Sequence, residues 1–167
     1  MNPAIYLYLL VELTIVSYID FSLKKIHNWW PLINIALFIF LTFFLPADYR
    51  FSIQTLFFSF AWLIVGFTFF LARIMGAGDS KYLFSFYLLV PQGLQESAFT
   101  CLLYSTITVG SSLFIINAIN NMDRLLIAFR LRDIGMVKGV FGKKFAFAPV
   151  ILLSWVWFGW INLKVLF

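Results

Sequence analysis

Charge is what this sequence has least of. Asp, Glu, Lys and Arg make up 11% of its 167 residues, against about a quarter in an ordinary soluble domain. With 63% hydrophobic residues and a mean hydropathy of +0.96, the composition excludes a typical soluble enzyme and reads as a polytopic membrane protein. Cysteine is nearly missing as well: Cys101 stands alone, which rules out an internal disulfide framework and a cysteine zinc cluster. Acidic residues are outnumbered, seven to twelve, for a net charge of +5. The basic residues gather between apolar stretches, the pattern that sets membrane topology, so no nucleic acid partner is expected. Met1-Asn2-Pro3-Ala4 carries no basic lead and Glu12 interrupts the first apolar run, so that run is expected to stay as a helix and not to be cleaved as a signal peptide.

What is present is a series of long apolar runs. Residues 26 to 47, 51 to 72, 97 to 122 and 145 to 163 contain no Asp, Glu, Lys or Arg, and each is long enough to cross a bilayer as a helix. A fifth span runs from about Pro3 to Leu23 and ends at Lys24-Lys25, whose stems can snorkel to the interface. The stretch between Lys81 and Glu96 is too short to cross alone, which predicts a helix that begins near Gly78 and takes Asp79 with it. The expected fold is all-α, a single membrane-embedded domain over residues 1–167 with six transmembrane helices and the N-terminus outside. That orientation puts Lys24, Lys25, Arg73, Lys81, Arg124, Arg130, Arg132, Lys138, Lys143 and Lys144 inside and leaves only Arg50 and Lys164 outside. No internal repeat or low-complexity tract is visible.

Two carboxylates then share a depth without sharing a helix. Asp20 lies one turn inside the end of the first span, and Asp79 opens the fourth on the same side. Charge near a membrane interior is expensive and is usually kept for function. Two carboxyls brought together cannot both ionise cheaply: one serves as base toward a water while the other, protonated, polarises a carbonyl. This is aspartyl protease chemistry, and it needs neither a metal nor another cofactor. Gly76 and Gly78, just ahead of Asp79, are expected to allow unusual backbone conformations or close approach at a break between helices. There an unwound substrate could pair with free backbone groups.

The surroundings of both aspartates carry a resemblance. Asp20-Phe-Ser-Leu-Lys-Lys-Ile-His-Asn28 resembles the aspartate, basic pair and Ile-Pro-Asn pattern of type IV prepilin peptidases, and Gly76-Ala-Gly-Asp-Ser-Lys81 resembles their glycine-aspartate-lysine signature. Phe145-Ala-Phe-Ala-Pro149 is a looser likeness to the proline-containing segment before their last span. His27 and Ala146 stand where that family often has proline. The resemblance implies an integral inner-membrane aspartic endopeptidase that removes the short basic leader of prepilins or pseudopilins at the cytoplasmic face. Asp20 and Asp79 would be its catalytic pair, with Gly76, Gly78, Lys24, Lys25, Asn28 and Lys81 supporting. The chain looks like the short, tight-adherence (Flp-type) forms, and one cysteine with short loops leaves no place for the methyltransferase insert of longer members.

Blander roles stand beside these. The aspartates could cap helices or pair with Lys24, Lys25 or Lys81; Lys81 could be a headgroup anchor, Asn28 a turn residue and His27 an interfacial loop residue. Glu12, two turns before Asp20, is expected to hydrogen-bond within the membrane. Trp29, Trp30, Trp155, Trp157 and Trp160 are expected to be interfacial anchors, and the loop with Arg124, Arg130, Arg132 and Lys138 to touch anionic lipid heads. Two other functions fit the same residues: a small proton-coupled transporter with a Glu12, Asp20 and Asp79 relay, and a non-catalytic pilus-assembly subunit.

Overall fold

Asn2 begins the first helix in the usual way, its Oδ1 accepting from Ala4 N at 2.9 Å, with Pro3 at the first helical position. In the computed structural model, which describes residues 1–71, 75–131, 135 and 146–166, this helix, α1, spans Pro3–Leu23. It is followed by α2 (Trp29–Phe44), α3 (Ile53–Leu71), α4 (Ala77–Leu88), α5 (Gln92–Asn120), α6 (Met122–Leu131), α7 (Ala148–Ile161) and a short α8 (Leu163–Leu166). The fold is all-helical, without a strand among the described residues. Arg73, Arg132, Lys138, Lys143, Lys144 and Phe145, which entered the charge and motif readings, lie outside those residues.

By length and composition α1 and α5 could each cross a membrane, while α2, α3 over Ile53–Thr68, and α7 are apolar but shorter. Their outward faces carry large apolar side chains, among them Val11, Phe43, Ile64, Ile107 and Trp160. Helix α4 begins within one residue of the expected Gly78. Its 12 residues reach only about 18 Å, and most of its surface is buried. Enclosure by protein explains how a helix with two serines, an aspartate and two tyrosines sits among apolar ones.

Two sets of contacts organise the bundle: α2 and α3 pack on α4, while α1 and α5 pack on α7. Small residues permit the close approaches. A Cβ on Gly66 of α3 would meet Ser80 Oγ of α4 at 2.5 Å, and one on Gly159 of α7 would strike the Tyr6 ring of α1. Gln95 ties α3, α4 and α5 together, its Nε2 lying 3.1 Å from the carbonyls of Thr55, Tyr87 and Val90. Tyr49, in the α2–α3 connection, donates to Leu89 O at 3.0 Å; burial raises the pKa of its hydroxyl, and the charge of Asp48 adds to that.

One expected anchor is a core residue instead. Trp155 is 1% exposed, stacks on Phe158 with ring centroids 4.7 Å apart, meets Phe86 edge-on at 5.0 Å, and donates Nε1–H to Tyr6 O at 3.3 Å. It faces inward because α7 presents that side to α1 and α4. Trp160, 78% exposed, stays on the outside as expected.

Candidate active site

The local backbone brings the candidate residues to one end of the bundle, where α1 finishes and α2, α4 and α7 begin. Helix α1 is stopped by Lys24, which takes a left-handed conformation (φ 49°, ψ 38°) and donates its N–H to Asp20 O. A non-glycine residue in this region costs about 1–2 kcal/mol, and here it turns the chain so that Ile26 comes down on the start of α4. A Cβ on Gly78 would lie 3.0 Å from Ile26 O and 3.3 Å from Ile26 Cβ. Close approach is therefore what requires glycine at 78. The expectation of unusual backbone conformations fails: no described glycine has a positive φ, and Gly76 (φ −78°, ψ 150°) is in a conformation open to any residue.

Asp79 sits in the first turn of α4 with 6% exposure, and its Oδ2 accepts from Gly76 N at 2.9 Å. Asp20, 3% exposed, reaches across to α7, where its Oδ2 accepts from Ala148 N at 3.1 Å. Both carboxyls thus meet the free N–H groups and positive dipole end of a helix. Their hydrogen bonds are to these backbone donors and not to Lys24, Lys25 or Lys81, so the capping role is realised where the lysine-pairing role is not.

Capping alone does not account for the convergence. Asp20 and Asp79 line one cavity of about 970 Å³, together with Lys24, Lys25, Asn28, Gly76, Gly78 and Lys81. Asp20 comes from the last turn of α1 and Asp79 from the first turn of α4, so two helices each contribute a carboxyl to one space. The expected catalytic pair and its six expected supporting residues therefore line one cavity. Asn28, at the start of α2, faces this space but makes no capping hydrogen bond with its side chain. Glu12 and His27 are not among the lining residues. Apolar wall is supplied by Leu23 and Ile26, which belong to the motif around Asp20, and by Phe70, Leu71 and Met75, which the sequence did not mark. Nor was Ala148 marked as a partner of Asp20. A usable signal existed: Phe147 at the N-cap offers no side-chain acceptor, so a buried start of α7 must borrow one from elsewhere.

Among the described residues no cluster of three or more His, Cys, Asp or Glu is assembled that could hold a metal ion. What the arrangement offers is two buried carboxyls from different helices, lining a partly apolar cavity to which three lysines also contribute. No family model, curated protein or solved structure matches the chain.

Proposed function

We propose that this chain is a membrane-embedded aspartyl endopeptidase, with Asp20 and Asp79 as its catalytic pair. The observation that carries the proposal is their convergence, from α1 and α4, on one cavity. In the proposed reaction one carboxylate takes a proton from a water as its oxygen attacks the scissile carbonyl carbon, and the protonated partner hydrogen-bonds the carbonyl oxygen. The partner's proton passes to the carbonyl oxygen to give a tetrahedral diol, which then collapses: one diol hydroxyl returns its proton to the carboxylate, the C–N bond breaks, the amine leaves with the proton of the other carboxyl, and the dyad is left sharing a single proton again. The helix N-termini that hold the two groups keep them oriented without consuming that proton.

The proposed setting is the inner membrane, crossed six times with the N-terminus outside and the cavity at the cytoplasmic face. Its support is the broad apolar exterior, the two helices long enough to span, and Lys24, Lys25 and Lys81 at the cavity end, in the sense of the positive-inside rule. The proposed substrate is the helix of a prepilin or pseudopilin, freed of its basic leader without N-methylation, on the strength of the motif resemblance around Asp20 and Asp79. A relay through Glu12 draws less support, because Glu12 does not line the cavity and its carboxyl is engaged by Asn34.

Purified protein in detergent or lipid, incubated with a prepilin-like substrate, should remove the leader, and Asp20→Asn and Asp79→Asn should each abolish removal. Asparagine retains a side-chain oxygen for the Ala148 and Gly76 amides, so both variants should unfold within about 1 kcal/mol of the parent. Normal cleavage by either variant refutes the dyad. Binding of the substrate by the parent without cleavage would favour the assembly-subunit reading.

A further inference from the structure

Behind the aspartates, a second polar cluster joins α1, α2 and α4. Glu12 of α1 is 3% exposed and Asn34 of α2 fully buried; Asn34 Nδ2 donates to Glu12 Oε1 at 2.9 Å, and Tyr8 Oη donates to Asn34 Oδ1 at 3.3 Å. Tyr82 of α4, also fully buried, brings its hydroxyl within interaction range of the Glu12 carboxyl. Neither that hydroxyl nor Glu12 Oε2 has a hydrogen-bond partner among the described residues, so the one bond that holds the Glu12 carboxyl there is the one from Asn34.

The location gives the cluster its meaning. Glu12 lies two turns before Asp20 on α1, and Tyr82 lies one turn after Asp79 on α4. Asp20 belongs to the helices that pack on α7, whereas Asp79 belongs to the helix on which α2 and α3 pack. Apolar contact between two such sets tolerates sliding, because one methyl-bearing surface resembles the next. A buried hydrogen bond does not, since leaving it unmade strands a polar group that water cannot reach. Fixing register is the best-attested use of buried polar groups.

We propose that Glu12 is a positioning residue: through Asn34 and Tyr82 it fixes the axial register of α1 against α2 and α4, and with it the separation of Asp20 and Asp79. Its kinetic consequence rests on the peptidase reading, but its structural consequence does not. A displacement approaching 1 Å at reacting groups can cost about 100-fold in rate, so a register error smaller than one residue is enough to matter.

The test uses two measurements. In a Cys101→Ala background, spin labels on Phe21→Cys and Lys81→Cys, both exposed positions beside the two aspartates, report the α1–α4 distance by pulsed electron resonance. Glu12→Gln, which can still accept from Asn34 and meet Tyr82, should keep the parental distance distribution; Glu12→Leu should broaden or shift it. Without labels, and with the prepilin-like substrate, Glu12→Leu should lower kcat about 10- to 100-fold at nearly unchanged KM, and Glu12→Gln should restore most of that loss. Should Glu12→Leu fail to fold, Glu12→Leu with Asn34→Leu removes both partners of the bond, which is tolerated better than orphaning one, and should show the same broadening. A parental distribution in the leucine variants overturns the proposal whatever their activity, and so does equal broadening by Gln and Leu. If the parent itself cleaves nothing, the peptidase reading fails while the distances still decide the role of Glu12.

Discussion

A single methyl group at Gly78 is the sharpest probe of how this site is built. In Gly78→Ala the new Cβ would lie 3.0 Å from Ile26 O and 3.3 Å from Ile26 Cβ, so the α1–α2 turn must retreat by a few tenths of an ångström. The left-handed Lys24 at the head of that turn leaves it little room to do so. Overpacking of this kind costs about 1–3 kcal/mol, and the better helix propensity of alanine returns at most about 1 kcal/mol. A net loss of about 1–2 kcal/mol is expected, together with displacement of Asp20 relative to Asp79. At Gly110, within α5, a Cβ meets nothing within 4 Å, so Gly110→Ala should stabilise by about 0.5–1 kcal/mol. Thermal unfolding of both variants in one detergent, with leader removal measured alongside, gives opposite signs if the reasoning holds. A Gly78→Ala protein as stable as Gly110→Ala and as active as the parent would mean that Ile26 does not rest on Gly78.

Two stability predictions address the packing around the site. Trp155→Ala should cost about 3–5 kcal/mol, since that ring is enclosed by Tyr6, Phe86 and Phe158, while Trp160→Ala, at an exposed position, should change thermal stability by less than about 0.5 kcal/mol; similar values for the two would place both rings in one environment. Gln95→Leu strips the carbonyls of Thr55, Tyr87 and Val90 of a shared donor and should cost about 2–4 kcal/mol, read as a lower unfolding midpoint, with the α4–α5 turn the first region to gain amide exchange.

Much of the site was legible because its signals are local. An aspartate near the end of an apolar run, a basic pair after it, and a second aspartate behind two glycines specify helix ends without reference to anything distant, and the structure gathers Asp20, Lys24, Lys25, Asn28, Gly76, Gly78, Asp79 and Lys81 around one cavity. Of the two glycines, Gly78 is the one whose close approach the structure bears out, while neither has the unusual backbone conformation expected. Backbone freedom belongs to a residue's own φ and ψ, whereas the demand at Gly78 comes from Ile26, 52 positions earlier.

What the sequence determined by itself is an all-helical fold built on apolar runs, and the placement of two carboxyls near helix ends. Only the tertiary structure decided which groups each carboxyl meets: Ala148 for Asp20, Gly76 for Asp79, and Asn34 for Glu12. It also decided that Trp155 is enclosed and Trp160 is not. The physical reason is that hydropathy separates inside from outside only when the outside is polar. In a chain whose helices are apolar on all sides, two tryptophans five residues apart look alike, and the side that is buried is chosen by which helix lies beside it.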